Sequence, residues 1–148
     1  MLIKINGTTV EKVYEDSRYL YHTIRHDSLS GRLVSVWTDN PDSLFVMSPY
    51  GMYTMHAASH GAAKRSWYTN TLLPAMPRRL RGQDGNDLLL VGEFNMIVHY
   101  NGRSWHKFHE MTGRANWRSI QFKNNFAVCV GLDYSTTRTV IGMGRRME

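Results

Sequence analysis

"VGEFNMIVHYNGRSWHKF", Val91–Phe108, decides the reading of the whole chain. In its second half Asn101-Gly102 separates two runs rich in apolar and aromatic residues. Asn-Gly is the strongest short-range hairpin signal, because a type I′ turn needs positive φ at both central positions. A two-residue loop then predicts the register: Tyr100 faces Arg103, and Val98 faces Trp105. Alternation places Val98, Tyr100 and Trp105 on one side of the sheet, with Trp105 in the core.

The opening stretch "LIKINGTTVEKV", Leu2–Val13, reads as a reduced copy of that hairpin. With its turn at Asn6-Gly7, Ile5 faces Thr8 and Ile3 faces Val10. Further copies follow when other anchors are used. "DSLFV" ends at Val46, "DLLLV" at Val91 and "FAVCV" at Val130, and Val36, Leu80 and Ile120 precede them by similar steps. Each is followed by another strand-like run: "GMYTMH", "NMIVHY" and "TRTVIGM". "KRSWYTN" parallels "GRSWHKF", with Trp67 in the place of Trp105.

Four short strands in each repeat of roughly 40–45 residues are the mark of a β-propeller blade. An all-β sandwich also has many short strands, but it need not repeat a motif at this spacing. Helical periodicity is poor throughout, and Pro and aromatic residues interrupt the best helical candidate, "TNTLLPAMPRRLR". The expected fold is therefore all-β: a propeller segment of four-stranded antiparallel blades, three to four in number, running over residues 1–148. The blades fall at 2–14 (partial), 33–71, 76–109 and 117–145 (partial). An open arc of this kind exposes strand edges and flat inner faces. The expectation is either a fragment of a larger propeller or a homo-oligomer, preferably a symmetric dimer that completes a ring.

The totals narrow the function classes. A chain of 148 residues is long enough for a substantial core. No run reaches the roughly 18 apolar residues of a membrane span. "MLIKINGTTV" has no apolar h-region or small-residue cleavage site, so no signal peptide is expected. The net charge of +6 attracts acidic surfaces without specifying one. A lone cysteine, Cys129 in "FAVCV", excludes an intramolecular disulfide and reads as a small buried hydrophobe.

The string "NDLLLVGEFNMIVHYNGRSWHKF", continued by "HEMTGRANWRSI" and ending in "GRR" at Gly144–Arg146, resembles a group of bacterial β-propeller repeat proteins. Their repeats read roughly "DVFVVGxxGxIxHYNGxSW". They are often labelled glucosyltransferase-like, and their blade pattern is similar to that of the photosystem II assembly propellers. The resemblance runs over Thr69–Arg146, and "HYNGRSW" at His99–Trp105 is its most specific part. It implies a non-catalytic binding or scaffolding propeller of bacterial, exported or cell-envelope character. It supplies no catalytic residue to carry over.

The residues themselves offer no catalytic set. His22 and His26 are four apart, as are His56 and His60, while His106 and His109 are three apart. These segments read as strand or loop, there is no HExxH, and no metal site or other cofactor is expected. "QDGND" at Gln83–Asp87 resembles a calcium loop faintly but lacks the later bidentate acid, so it reads as a turn. No GxSxG elbow, phosphate loop or dinucleotide fingerprint is present, and the acids are dispersed.

Propellers bind through the loops at their faces. The connections between second and third strands carry Tyr50, Glu93, Phe94 and Tyr134; those between blades carry Arg18, Arg78, Arg79 and Trp117. Aromatic rings beside guanidinium groups suit stacking on a peptide, a sugar or a base. A protein or peptide partner is the leading expectation. A glycan is the alternative, and it asks for one aromatic and one acid in each blade, with Glu93 and Asp133 as the candidates. Nucleic acid is favoured by net charge alone.

Overall fold

The structure is a computed structural model that describes residues 2–14, 29, 32–40, 42–49, 51–56, 64–68 and 75–145. Among them the chain is all-β. β1 (Leu2–Asn6) and β2 (Thr9–Tyr14) form a hairpin. A first sheet holds β3 (Ser35–Asn40), β4 (Ser43–Ser48), β5 (Gly51–His56) and β6 (Lys64–Tyr68). A second holds β7 (Pro77–Asp84), β8 (Asp87–Gly92), β9 (Ile97–Tyr100) and β10 (Trp105–Lys107). A third holds β11 (Ala115–Lys123), β12 (Phe126–Asp133) and β13 (Thr139–Arg145). Each sheet is an antiparallel meander in chain order, and none closes on itself among the described residues.

Consecutive sheets meet through their first strands, β3 against β7 and β7 against β11. The second sheet is thus covered on both faces, which explains the unbroken apolar run Leu88–Val91 in a strand buried at every position. Leu88 and Leu90 point one way, into a core with Phe45, Met47, Met52, Leu80 and Val98. Leu89 and Val91 point the other way, into a core with Ile97, Trp117, Ile120, Phe122 and Cys129. Between β3 and β7 the buried Ser35 hydroxyl accepts the Leu80 N–H at 3.1 Å. The far side of the first sheet buries Val46, Tyr53 and Met55 with Leu29.

The hairpin at Asn101-Gly102 differs from the predicted one. Tyr100 pairs with Trp105, and Val98 pairs with Lys107. The loop is four residues long because the Asn101 side chain is occupied: its Oδ1 accepts the N–H groups of Arg103 at 3.0 Å and Ser104 at 2.9 Å. Of the two turn residues only Gly102 has positive φ, 85°. Trp105 is half-buried against Tyr100, with ring centroids 4.9 Å apart. At the N-terminus Gly7, with φ 58°, moves the turn one residue on. Ile5 therefore pairs with Val10 and Ile3 with Lys12, and the Ile5 and Val10 side chains are exposed. Nor are Val46 and Val91 equivalent. The pairs Val36–Val46, Leu80–Leu90 and Ile120–Cys129 correspond, so Val46 is one residue out of step with Val91 and Val130 and on the opposite face.

Candidate functional site

The expected binding loops converge at the β8–β9 and β12–β13 connections. Glu93–Met96 forms a tight turn, closed by the Met96 N–H donating to the Glu93 carbonyl at 3.1 Å. Its two central residues have positive φ, 50° at Phe94 and 58° at Asn95, the pattern of a type I′ turn. Neighbouring backbone holds it down. Glu93 N–H donates to the Met76 carbonyl at 3.1 Å, and Asn95 N–H to the Ala115 carbonyl at 2.7 Å. The Asn116 side-chain oxygen accepts the Phe94 N–H at 3.1 Å, and the Asn95 amide donates to the Met111 carbonyl.

The second loop is built around Asp133. One of its carboxylate oxygens accepts the Ser135 hydroxyl at 2.6 Å, the Ser135 N–H at 2.8 Å and the Thr136 N–H at 3.1 Å. Tyr134 N–H reaches the Arg114 carbonyl at 3.1 Å. The two loops place Phe94 and Tyr134 edge to face, with centroids 6.0 Å apart. Both rings remain open to solvent, 62% and 45% exposed.

Arg78 is the extra residue of a β-bulge between Pro77 and Arg79. Its guanidinium forms an ion pair with Glu93 at the base of the same turn. Glu93, Phe94, Tyr134 and Arg78 thus come together. Arg79 lies beside Arg81, whose guanidinium is held below its usual value by burial first and by the Arg79 charge second. Trp117 was expected on this face and is instead a core residue, 3% exposed. It sits on the inward side of β11, where only the absent side chains of Gly131 and Gly142 leave space for the indole. Arg18, Tyr50, His22, His26 and His60 lie outside the described residues.

Reasoning from sequence overlooked three positions. Phe94-Asn95 is the type I′ turn, and the Asn in its second central position was a readable signal. Asn116 locks that turn from the next sheet. His99 Nε2 lies 2.7 Å from Asp87 Oδ1 across β8 and β9, a pair that no sequence spacing announced. "QDGND" is a turn, as expected: the Asp84 carboxylate accepts the Asn86 N–H at 2.7 Å. Among the described residues no group of three or more His, Cys, Asp or Glu is placed to hold a metal ion. No helix there is long and apolar enough to cross a membrane. Comparison with protein-family models, curated proteins and solved structures gave no match.

Three predictions arise here. A bulky side chain at φ 50° costs on the order of 1 kcal/mol relative to Asn or Gly. Phe94→Asn is therefore expected to raise the denaturation midpoint, with a gain of about 0.5–1 kcal/mol in chemical unfolding. The Asp133 carboxyl is held below its ordinary value of 3.8, by the Ser135 hydroxyl first and then by the Ser135 and Thr136 amides. A depressed folded value means these bonds stabilise the loop above the ordinary carboxylate range and are lost as pH falls through that lower value. In an NMR titration the Ser135 and Thr136 amide signals should move with a midpoint below that of an unstructured Asp. Burial pushes the Cys129 thiol up to about 11. At pH 8 a thiol reagent should leave the native chain unlabelled and label one group after unfolding in guanidinium.

Proposed function

We propose that this chain is a non-catalytic binding or scaffolding module, built as consecutive β-propeller blades, which engages a protein or peptide partner through the Phe94–Tyr134 face. Support for the architecture comes from successive antiparallel meanders that pack through their first strands. One observation carries the binding reading: a solvent-open phenylalanine is kept at a backbone position that disfavours it. Such strain tends to be retained where it serves a site. The Tyr134 ring beside it and the Arg78–Glu93 pair below give an aromatic centre with a polar margin, as at protein interfaces.

A sugar site would need free carboxylates beside the rings. Glu93 is engaged by Arg78, and Asp133 by its own loop, so the peptide reading is the stronger one. The test is a selection of phage-displayed peptides against the immobilised chain, with Phe94→Asn and Tyr134→Ala as comparison targets. Peptides that bind the native chain and lose about tenfold or more in affinity on both variants support the proposal. Peptides indifferent to both changes sink it, as does a glycan array on which binding depends on Glu93.

A further inference from the structure

The second and third sheets share one hairpin arrangement, so their side chains compare position by position. In the second sheet Leu88 pairs with Tyr100 and Leu90 with Val98. These four fill the space against the first sheet. Their counterparts in the third sheet are Ala127 paired with Gly144 and Cys129 with Gly142. These small residues face the second sheet across a cavity of about 420 Å³, walled by Leu89, Ile97, Phe108 and Phe122. A side chain added at Gly144 would meet nothing within 4 Å.

The strand edges differ as well. β10 covers the edge of β9 and stacks Trp105 on Tyr100. Among the described residues β13 has no strand on its outer edge. Among the described residues, the space that the Tyr100–Trp105 pair fills at one interface has no counterpart side chains at the next, and the edge from which an aromatic ring would enter carries no strand.

We propose that β13 receives an extended segment of a partner protein, which adds as an antiparallel strand and seats an aromatic side chain opposite Gly144 in this cavity. Backbone hydrogen bonds to an open edge supply affinity, and a pocket for alternate side chains supplies selectivity. An aromatic ring laid across a glycine on the neighbouring strand is a favourable cross-strand pair. The segment's other side lies beside Ile141 and Met143, which are 65% and 71% exposed, and so carries aliphatic residues. Arg138 and Arg145 bracket β13, and among the described residues neither pairs with a carboxylate. In a chain of net charge +6 they match acidic residues near the segment's ends. This site is separate from the Phe94–Tyr134 face and does not depend on it.

The probe is the synthetic peptide TEWVTVTSE. In antiparallel register its Trp falls opposite Gly144, its two Val residues opposite Met143 and Ile141, and its two Glu residues opposite Arg145 and Arg138. Titrated calorimetrically into the full chain, it should bind saturably. Its Trp-to-Ala version should bind about tenfold or more weakly, and a version with alternate backbone amides methylated should not bind. Gly144→Leu fills the cavity and should abolish binding while leaving the circular dichroism spectrum and melting temperature near native. Phe94→Ala should leave peptide binding unchanged, which separates this site from the loop face. Absence of saturable binding overturns the proposal. So does equal binding of the Ala peptide, or binding of free indole as tight as that of the peptide.

Discussion

Trp117→Ala lowers the stability of the chain by about 3–5 kcal/mol, the range for truncating a buried tryptophan. The indole lies between the second and third sheets, in the core that joins Leu89, Val91 and Ile97 to Ile120, Phe122 and Cys129. Collapse around the vacated site is restricted, because the strand residues that lie directly against the ring are Gly131 and Gly142, which have no side chain to move inward. Trp117→Phe separates packing from polarity. Trp117 Nε1 is buried and has no acceptor among the described residues, so the phenyl ring forgoes a polar group that was already uncompensated. Equilibrium unfolding in guanidinium should show the Phe variant clearly more stable than the Ala variant. Equal losses would mean that the ring volume is not what the site requires.

Leu90→Ala costs about 2–5 kcal/mol. Leu90 is fully buried on β8 and faces the first sheet, paired with Leu80 on one side and Val98 on the other. Because β8 is covered on both faces, Leu89→Ala on its reverse side should perturb the other core. The losses from Leu90→Ala and Leu89→Ala should still fall short of simple addition, since both act through one strand. Chemical denaturation of the two single variants and the double variant measures this directly.

The all-β character and its antiparallel sheets were legible, because period-two alternation and turn residues between apolar runs are local signals. Exact pairing was not legible. At Asn101 the amide side chain can enter a left-handed turn or cap a longer loop, and only its neighbours decide. At Phe94-Asn95 the Asn signals the type I′ turn, but the aromatic residue in the position before it, where Asn or Gly would be favoured, masks that signal. One residue of uncertainty then moved Val46 to the wrong face relative to Val91. At the candidate site Glu93, Phe94 and Tyr134 were readable as loop residues, whereas Arg78, expected in a connection between blades, lies in the β7 strand at its bulge. Trp117 was not readable as core, because an aromatic at the start of a strand looks the same from either side of the sheet. The Asn116 contact and the His99–Asp87 pair depend on how strands align, which composition does not encode.

The two-sided burial of β8 has a consequence for biogenesis. Until the sheets on either side have formed, Leu88–Val91 is an uncharged, proline-free tract that can join like tracts of other chains. The acids that border it, Asp87 and Glu93, then act as gatekeepers against self-association. Refolding yield should therefore fall as protein concentration rises, and neutralising either acid should steepen that fall.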